Sequence, residues 1–379
     1  MSLTDKIRAS ALWRLRVMAK NALTVTDVLV SRRLHTRPHF APVLLLFITY
    51  HCNLRCRTCG VCLLEQEIAS VPELTLDEWK AVIDSAVTLR TVFVVISGGE
   101  PLLRPDVLID LTKYASGRGI AVHICTNGVL IDRDYAARLG QSGAHTISIS
   151  LEAPEPELHD RIRGRGNFER ALNGIRLLRE FAPNVNVGIN HVITTENFRC
   201  MAEMVPFAES LGVRQLKFAP IHTNLLHKRK SLLQWGSLLF EHKDLEALAV
   251  ELDRLRAAIA RSRLLTTSPL FLARITDLYR EPPRFRCLAG YATAAVDPVG
   301  MVAPCSDMKG VASVRDMPLE QIWRGRGLQE ARRAVCHCDS PCWDTANAEL
   351  SIRLRPVSLV RDFLQTWKDM GFYFGRRDE

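Results

Sequence analysis

The placement of the cysteines constrains this chain more than any other feature. Of eleven in 379 residues, four lie between Cys52 and Cys62 and five between Cys287 and Cys342, while Cys125 and Cys200 stand alone. An odd count in two distant groups fits two metal sites better than a disulfide framework, which needs an oxidising compartment. The first residues, Met1 to Arg16, are charged throughout and lack the apolar stretch of an export signal, so a cytoplasmic location is expected. Hydrophobic residues at 47% and charged residues at 24% exclude the disordered and fibrous classes. The longest apolar run, Phe40 to Tyr50, has about half of the ~20 residues that a membrane-spanning helix requires.

The net charge of +9 permits an acidic partner without choosing one, and nothing in the chain leads us to expect nucleic acid. Residues 1–39 form a basic preamble in which Ile7, Ala11, Leu15, Met18 and Ala22 recur at helical spacing between Lys6, Arg8, Arg16 and Lys20. That pattern predicts an amphipathic helix. It either packs on the body of the protein or docks on the inner face of a membrane.

From Phe40 onward, short β-rich runs alternate with helical stretches, the pattern of a parallel sheet built from βα units. Strands are expected at Val43–Thr49, Thr91–Ser97, Ile120–Cys125, Thr146–Leu151, Val185–Ile193 and Gln215–Phe218. Thr75 followed by Glu78 predicts a capping box at a helix start. Six units are fewer than the eight of a closed barrel, so the fold class is α/β, a partial (β/α)6 TIM-like barrel. We expect the barrel over residues 40–225 and a helical connection over 226–282, with a long helix from Lys243 to Arg263. A small cysteine-rich module follows over 283–345, with a hairpin turn at Asp297-Pro298-Val299-Gly300. Its core is too small to be self-sufficient, so bound metal would help hold it together. A helical tail over 346–379 carries Val360, Phe363, Leu364, Trp367 and Met370 on one face.

Cys52, Cys56 and Cys59 sit directly after the first expected strand, at the carboxyl end where barrel active sites form. Three thiolates at that spacing can hold three corners of a cubic iron–sulfur cluster and leave the fourth iron open to a chelating ligand. A structural zinc completed by Cys62 is the alternative. Cys125, Cys200 and His123 are expected as core residues.

The spacing resembles the cluster motif of the radical S-adenosylmethionine (radical SAM) superfamily, and further matches follow in order over about 180 residues. Ser97-Gly98-Gly99-Glu100-Pro101 is similar to the family segment whose backbone and carboxylate hold the methionine amino group. Thr126-Asn127-Gly128 and Ser148-Ile149-Ser150-Leu151-Glu152 are similar to segments at the ribose and carboxylate end of the cofactor. The stretch His159-Asp160-Arg161-Ile162-Arg163-Gly164, followed by Asn167 to Ala171, also resembles a recurrent family segment. Thr58 stands where the family often has an aromatic residue, and Glu152 where many members have Asp. The adenosylhopane synthase type is similar in lacking that aromatic residue and in following a basic N-terminal helix.

The resemblance implies an enzyme whose [4Fe–4S] cluster reductively cleaves S-adenosylmethionine to methionine and a 5′-deoxyadenosyl radical, using a reductant such as flavodoxin or ferredoxin. By the same resemblance Gly98, Gly99, Glu100, Asn127, Ser150, Glu152 and Arg163 are the cofactor-binding residues. The step from Gly300 to Cys305 resembles the hairpin of SPASM and Twitch modules, which carry auxiliary [4Fe–4S] clusters. Cys287, Cys305 and Cys342 are the first candidates as its ligands, with Cys336 or Cys338 supplying the fourth, and zinc is again the alternative. A lipid or isoprenoid and a small metabolite rank equally as substrates. A peptide ranks below them, because fewer than fifty residues precede the first strand. A non-catalytic iron–sulfur or zinc protein is the remaining class.

Overall fold

The computed structural model describes residues 22–61, 64–65, 70–222, 236–280, 285–339, 342–355 and 358. All six expected barrel strands form: β1 (Val43–Phe47), β2 (Phe93–Ser97), β3 (Ala121–Thr126), β4 (Thr146–Ser150), β5 (Asn186–Ile193) and β6 (Gln215–Pro220). Each pairs in parallel with the next. A two-residue β7 (Leu265–Thr266) extends the far edge. Alternation along the strands builds the core: Leu44, Leu46, Val94, Ile96, Val122, Ile124, Ile147 and Ile149 bury against the helix layer. The intervening residues, among them Ser148, Ser150, Asn190 and Lys217, therefore face the inner side of the sheet.

In chain order the helices are α1 (residues 22–34), α2 (Leu76–Thr88), α3 (Pro105–Gly117), α4 (Arg133–Gln141), α5 (Pro156–Arg163), α6 (Asn167–Phe181) and α7 (Met204–Ser210). They continue with α8 (Leu245–Arg261), α9 (Pro269–Leu272), α10 (Ile275–Arg280), α11 (Leu319–Arg324), α12 (Arg326–Cys336) and α13 (Ala348–Arg353). The long helix expected from Lys243 is α8, preceded by a 3-10 turn at His242–Asp244.

The cysteine-rich segment is not a detached module. Its strand β8 (Thr293–Val296) pairs in parallel with β1, Val43 opposite Thr293 through Leu46 opposite Val296. β8 then turns at the expected hairpin into β9 (Met301–Ala303), which pairs antiparallel with it and with β10 (Ala312–Ser313). Asp297 holds the turn by accepting from the N–H groups of Val299 (3.1 Å) and Met301 (2.8 Å). The result is one sheet in the order β10-β9-β8-β1-β2-β3-β4-β5-β6-β7.

Helix α13 ties the β6–β7 end of this sheet to β8. On one side Glu349 accepts from the Ser268 N–H (3.0 Å) and from Lys217 (3.4 Å). On the other, Thr293 donates to Asn347 (2.6 Å) and the Leu288 N–H donates to the Ser351 hydroxyl (3.0 Å).

Of the predicted N-terminal helix, residues 1–21 lie outside the described residues, as does the apolar face expected of the tail. What is described of the helix, α1, packs on the cysteine-rich segment. Val28 is buried with Leu288, Tyr291 and Ala292, and Arg32 donates to the Cys287 carbonyl (2.8 Å) while lying over the Tyr291 ring. Among the described residues no helix is long and apolar enough to cross a membrane.

The capping box of α2 forms as expected, and it does more than end a helix. Glu78 accepts from the Thr75 N–H (2.7 Å) and also pairs with Arg315 beyond β10 (2.7 Å). The Arg315 bond, together with the cap donors, lowers the Glu78 carboxyl from 4.5 to about 2. Its ionised form therefore stabilises the fold fully above about pH 4.5, and that contribution fades as pH falls toward 2. Replacing Glu78 by Gln is expected to cost about 1 kcal/mol at neutral pH. In urea titrations the gap between variant and wild type should be constant above pH 5 and narrow below 4.5; a gap that widens in acid contradicts this linkage.

Candidate active site

β1 runs into the loop that carries Cys52, Cys56 and Cys59, with Cys56 buried and the other two half-buried. The loop aims amides at sulfur: Leu54 N–H lies 3.4 Å from Cys52 Sγ, and Val61 N–H lies 3.4 Å from Cys59 Sγ. Burial pushes the Cys52 thiol up and the Cys59 thiol to about 12. Thiols held this way ionise only against a strong local positive charge, which a bound metal centre supplies. Three sulfurs on one loop, amides directed at two of them, fit an iron–sulfur cluster, and Arg163 Nη1 stands 3.9 Å from Cys56 Sγ.

The glycines ending β2 are required by this loop. A Cβ at Gly98 would collide with the Thr49 carbonyl, and one at Gly99 with the His51 carbonyl. The backbone takes their place, with Gly99 N–H donating to Thr49 O (2.7 Å) and Glu100 N–H to His51 O (2.8 Å). The glycines thus serve a close backbone approach to the strand end and loop that lead into the cluster cysteines.

Glu100 is buried and both its oxygens are engaged. Oε1 accepts from the Thr126 hydroxyl (2.7 Å) and the Leu102 N–H (3.0 Å), and Oε2 from the Asn127 N–H (2.8 Å). Burial raises its carboxyl despite these donors. Glu100 therefore anchors the Thr126-Asn127-Gly128 turn to the end of β2, while Asn127 reaches across to Asn53 in the cluster loop (2.8 Å). Ser150 lies at the end of β4, opposite Asn190 on the inner side.

Glu152 is tied to two other parts of the chain. Its side chain is fully buried, with Oε1 held by Arg163 at 2.7 Å and Oε2 by the Val192 N–H at 2.7 Å. Arg163 is thereby fixed between this carboxylate and Cys56. His159 and Asn197, which the sequence reading did not single out as positioning groups, lock the same turn. The Glu152 N–H donates to His159 Nδ1 (3.2 Å), and Asn197 Nδ2 donates to the Glu152 carbonyl (3.0 Å).

In the second group, Cys287 lies close enough to raise Cys305, and both lie close enough to raise Cys342. Burial pushes Cys287 to about 12 and the other two well above the usual thiol range. Cys338 is exposed beside Cys287. Cys336 stands apart at the end of α12, bonded to the Arg332 carbonyl (3.2 Å) and His35 (3.2 Å), with Tyr291 at 3.7 Å. Cys200 and His123 are buried, Cys200 donating to the Asn197 carbonyl (3.0 Å) and His123 lying edge-on to Phe93, whereas Cys125 is half-buried near the end of β3, with Asn190 Nδ2 3.7 Å from its sulfur. Removing Glu152 would strand a buried guanidinium, so Glu152→Ala should cost about 3 kcal/mol or more in denaturant unfolding. An unchanged midpoint would show that Arg163 is held by other groups.

The Radical SAM superfamily profile matches residues 46–208, and the SPASM profile, an iron-sulfur cluster-binding domain, matches residues 287–344. The chain is 28% identical over 293 residues to an AdoMet-dependent heme synthase of Oleidesulfovibrio alaskensis, covering 73% of each. It is 29% identical over 308 residues to a PqqA peptide cyclase of Granulibacter bethesdensis, covering 79% of this chain and 78% of that one. The fold superposes on SuiB of Streptococcus suis with a TM-score of 0.61 at 18% identity, covering 82% of this chain and 71% of SuiB. A second solved structure, anSMEcpe with bound AdoMet, gives a TM-score of 0.59 at 16% identity over 86% of this chain and 99% of that one. The three-thiol loop at the end of β1 and the SPASM segment joined to it through β8 identify the chain as a member of the radical SAM superfamily, an enzyme with a C-terminal SPASM iron–sulfur module.

Proposed function

We propose that this enzyme modifies a peptide substrate held against the inner side of the sheet, between the β1 cluster loop and the auxiliary site. The observation that carries the reading is the polarity of the inner wall along β4 to β6, beside an apolar stretch at β1 and β2 that includes Leu45, Phe47 and Val95. Ser148 and Ser150 of β4, Asn190 of β5 and Gln215 and Lys217 of β6 line it, with Ser148 and Gln215 bonded at 3.1 Å. Ser148 and Gln215 satisfy each other and Lys217 is held by Glu349, which leaves Ser150 and Asn190 partly open; peptide groups can bond to these two, whereas an isoprenoid chain would strip them of water at about 1–3 kcal/mol each. The basic helix that favoured a lipid is, where described, committed through Val28 and Arg32 to the auxiliary segment. The similarity to PqqA peptide cyclases points the same way. A second reading, formation of heme, draws on the similarity to AdoMet-dependent heme synthases.

Cys52, Cys56 and Cys59 would hold the catalytic [4Fe–4S] cluster, and the strand ends bearing Gly98, Gly99, Glu100, Asn127, Ser150, Glu152 and Arg163 would hold S-adenosylmethionine beside it. The bound pair supplies a one-electron cleavage fed by a reductant such as flavodoxin or ferredoxin. The chain's own work is geometric. Glu100 fixes the turn after β3, Glu152 fixes Arg163 near Cys56, and the surrounding strands keep water from the reacting centre.

The substrate class is read by supplying uniformly deuterated peptide, porphyrin and lipid fractions in turn to the reconstituted enzyme under reducing, anaerobic conditions. Deuterium should enter 5′-deoxyadenosine from the peptide fraction. Transfer from the porphyrin fraction alone would select the second reading, and transfer from lipid alone would overturn both.

A further inference from the structure

The auxiliary site holds potential ligands that the cysteine spacing does not announce. His222 follows the end of β6, and Asp307 lies two residues past Cys305 in the loop after β9. Their side chains meet across the two segments, with His222 Nε2 donating to Asp307 Oδ2 at 2.6 Å. One ligand atom from each of His222, Asp307 and Cys342 lies within 4.8 Å of the others, the sole such trio of these residue types among the described residues.

Asp307 is the informative member. Its side chain is 8% exposed, and among the described residues its Oδ1 has no hydrogen-bond partner. A buried carboxylate oxygen without a donor is costly unless a cation meets it. The same residue turns its backbone N–H toward the Cys305 sulfur, so Asp307 already faces that thiol. Cys305 and Cys342 each lie close to the other, to Cys287 and to Asp307. Cys338 is exposed beside Cys287, Cys336 is bonded elsewhere, and Asp344, which neighbours Cys287, Cys305 and Cys342, has both oxygens occupied by Asn347 and the Ala348 N–H.

We propose that the auxiliary cluster is held by three thiolates and one carboxylate, Cys287, Cys305, Cys342 and Asp307 through Oδ1, with His222 orienting the carboxylate through Oδ2. The inference rests on the reading of this module as an iron–sulfur site. His222 then acts as a positioning residue, an outer partner that fixes ligand direction and tunes the centre. Because it follows a barrel strand, it links the electronic properties of the auxiliary cluster to the wall of the substrate space. Exchanging a thiolate for a harder ligand changes a cluster's potential, as nitrogen-for-sulfur exchange does elsewhere.

The test uses the full chain with Cys52, Cys56 and Cys59 all replaced by Ala, so that only the auxiliary site can load, reconstituted anaerobically and followed by iron and sulfide analysis and by EPR. This parent should carry about four irons. Adding Asp307→Ala should leave three thiolates and open the fourth iron, which changes the EPR spectrum of the reduced cluster and makes that iron the first to be lost on oxidation. Asp307→Cys should close that iron again and give a reduced spectrum distinct from both the parent and Asp307→Ala, and does so only if position 307 faces the cluster. His222→Gln should keep the full iron content and shift the reduction potential, which a purely structural role would leave unmoved. Cys338→Ser should match the parent. Full iron and an unchanged spectrum in Asp307→Ala, or loss of an iron in Cys338→Ser, would overturn the ligand assignment. A parent that binds no iron, or binds zinc, would instead remove the auxiliary-cluster reading and this inference with it.

Discussion

The structure depends on β1 being paired in parallel on both of its sides. Val43 to Phe47 bond β2 on one edge, and Val43 to Leu46 bond β8 on the other. A strand fixed on both edges cannot shift by one residue without turning its core face, Leu44 and Leu46, away from the helices. The loop that continues β1 inherits that rigidity. Its carbonyls at Thr49 and His51 then fill the space where side chains at positions 98 and 99 would be, so the cluster loop and the end of β2 form a single unit.

Charge burial is arranged around this unit in a consistent way. Each buried carboxylate near the catalytic loop answers to specific donors, Glu100 to the turn after β3 and Glu152 to Arg163 and β5. The thiols are different: burial raises Cys52, Cys59, Cys287, Cys305 and Cys342 without enough positive charge to offset it. A protein that spends its donors on carboxylates and leaves two groups of buried thiols raised is organised for metal centres at both places. Helix α13 follows closely on Cys342 and bonds both β8 and the β6–β7 edge, so the second thiol group and the closure of the sheet share one short segment.

Local features were legible in the sequence and long-range ones were not. Strands β1 to β6, the Thr75–Glu78 cap and the turn at Asp297–Gly300 follow from alternation and short-range hydrogen bonding, and all appear near their expected positions. The pairing of β8 with β1 joins residues far apart in the chain, and a four-residue apolar run does not declare its partner. The motif marks Glu152 but not its surroundings, which come from Arg163 and from the Val192 amide of another strand. Cys336 and Cys338 were equivalent by spacing. The helical phase of α12 separates them, turning Cys336 toward Arg332, His35 and Tyr291. His222 and Asp307 carry no motif at all, because their meeting is set by the sheet order.

The central claim is that the β1 loop holds a cluster with one open iron at which S-adenosylmethionine is reductively cleaved. The direct measurement is 5′-deoxyadenosine release by the anaerobically reconstituted protein with dithionite and S-adenosylmethionine, beside Cys56→Ala prepared in the same way. The account predicts release by the wild type and none above background from the variant, with the auxiliary iron still present in both. Equal release by the two proteins, or none by a wild type that carries its full iron, would contradict it.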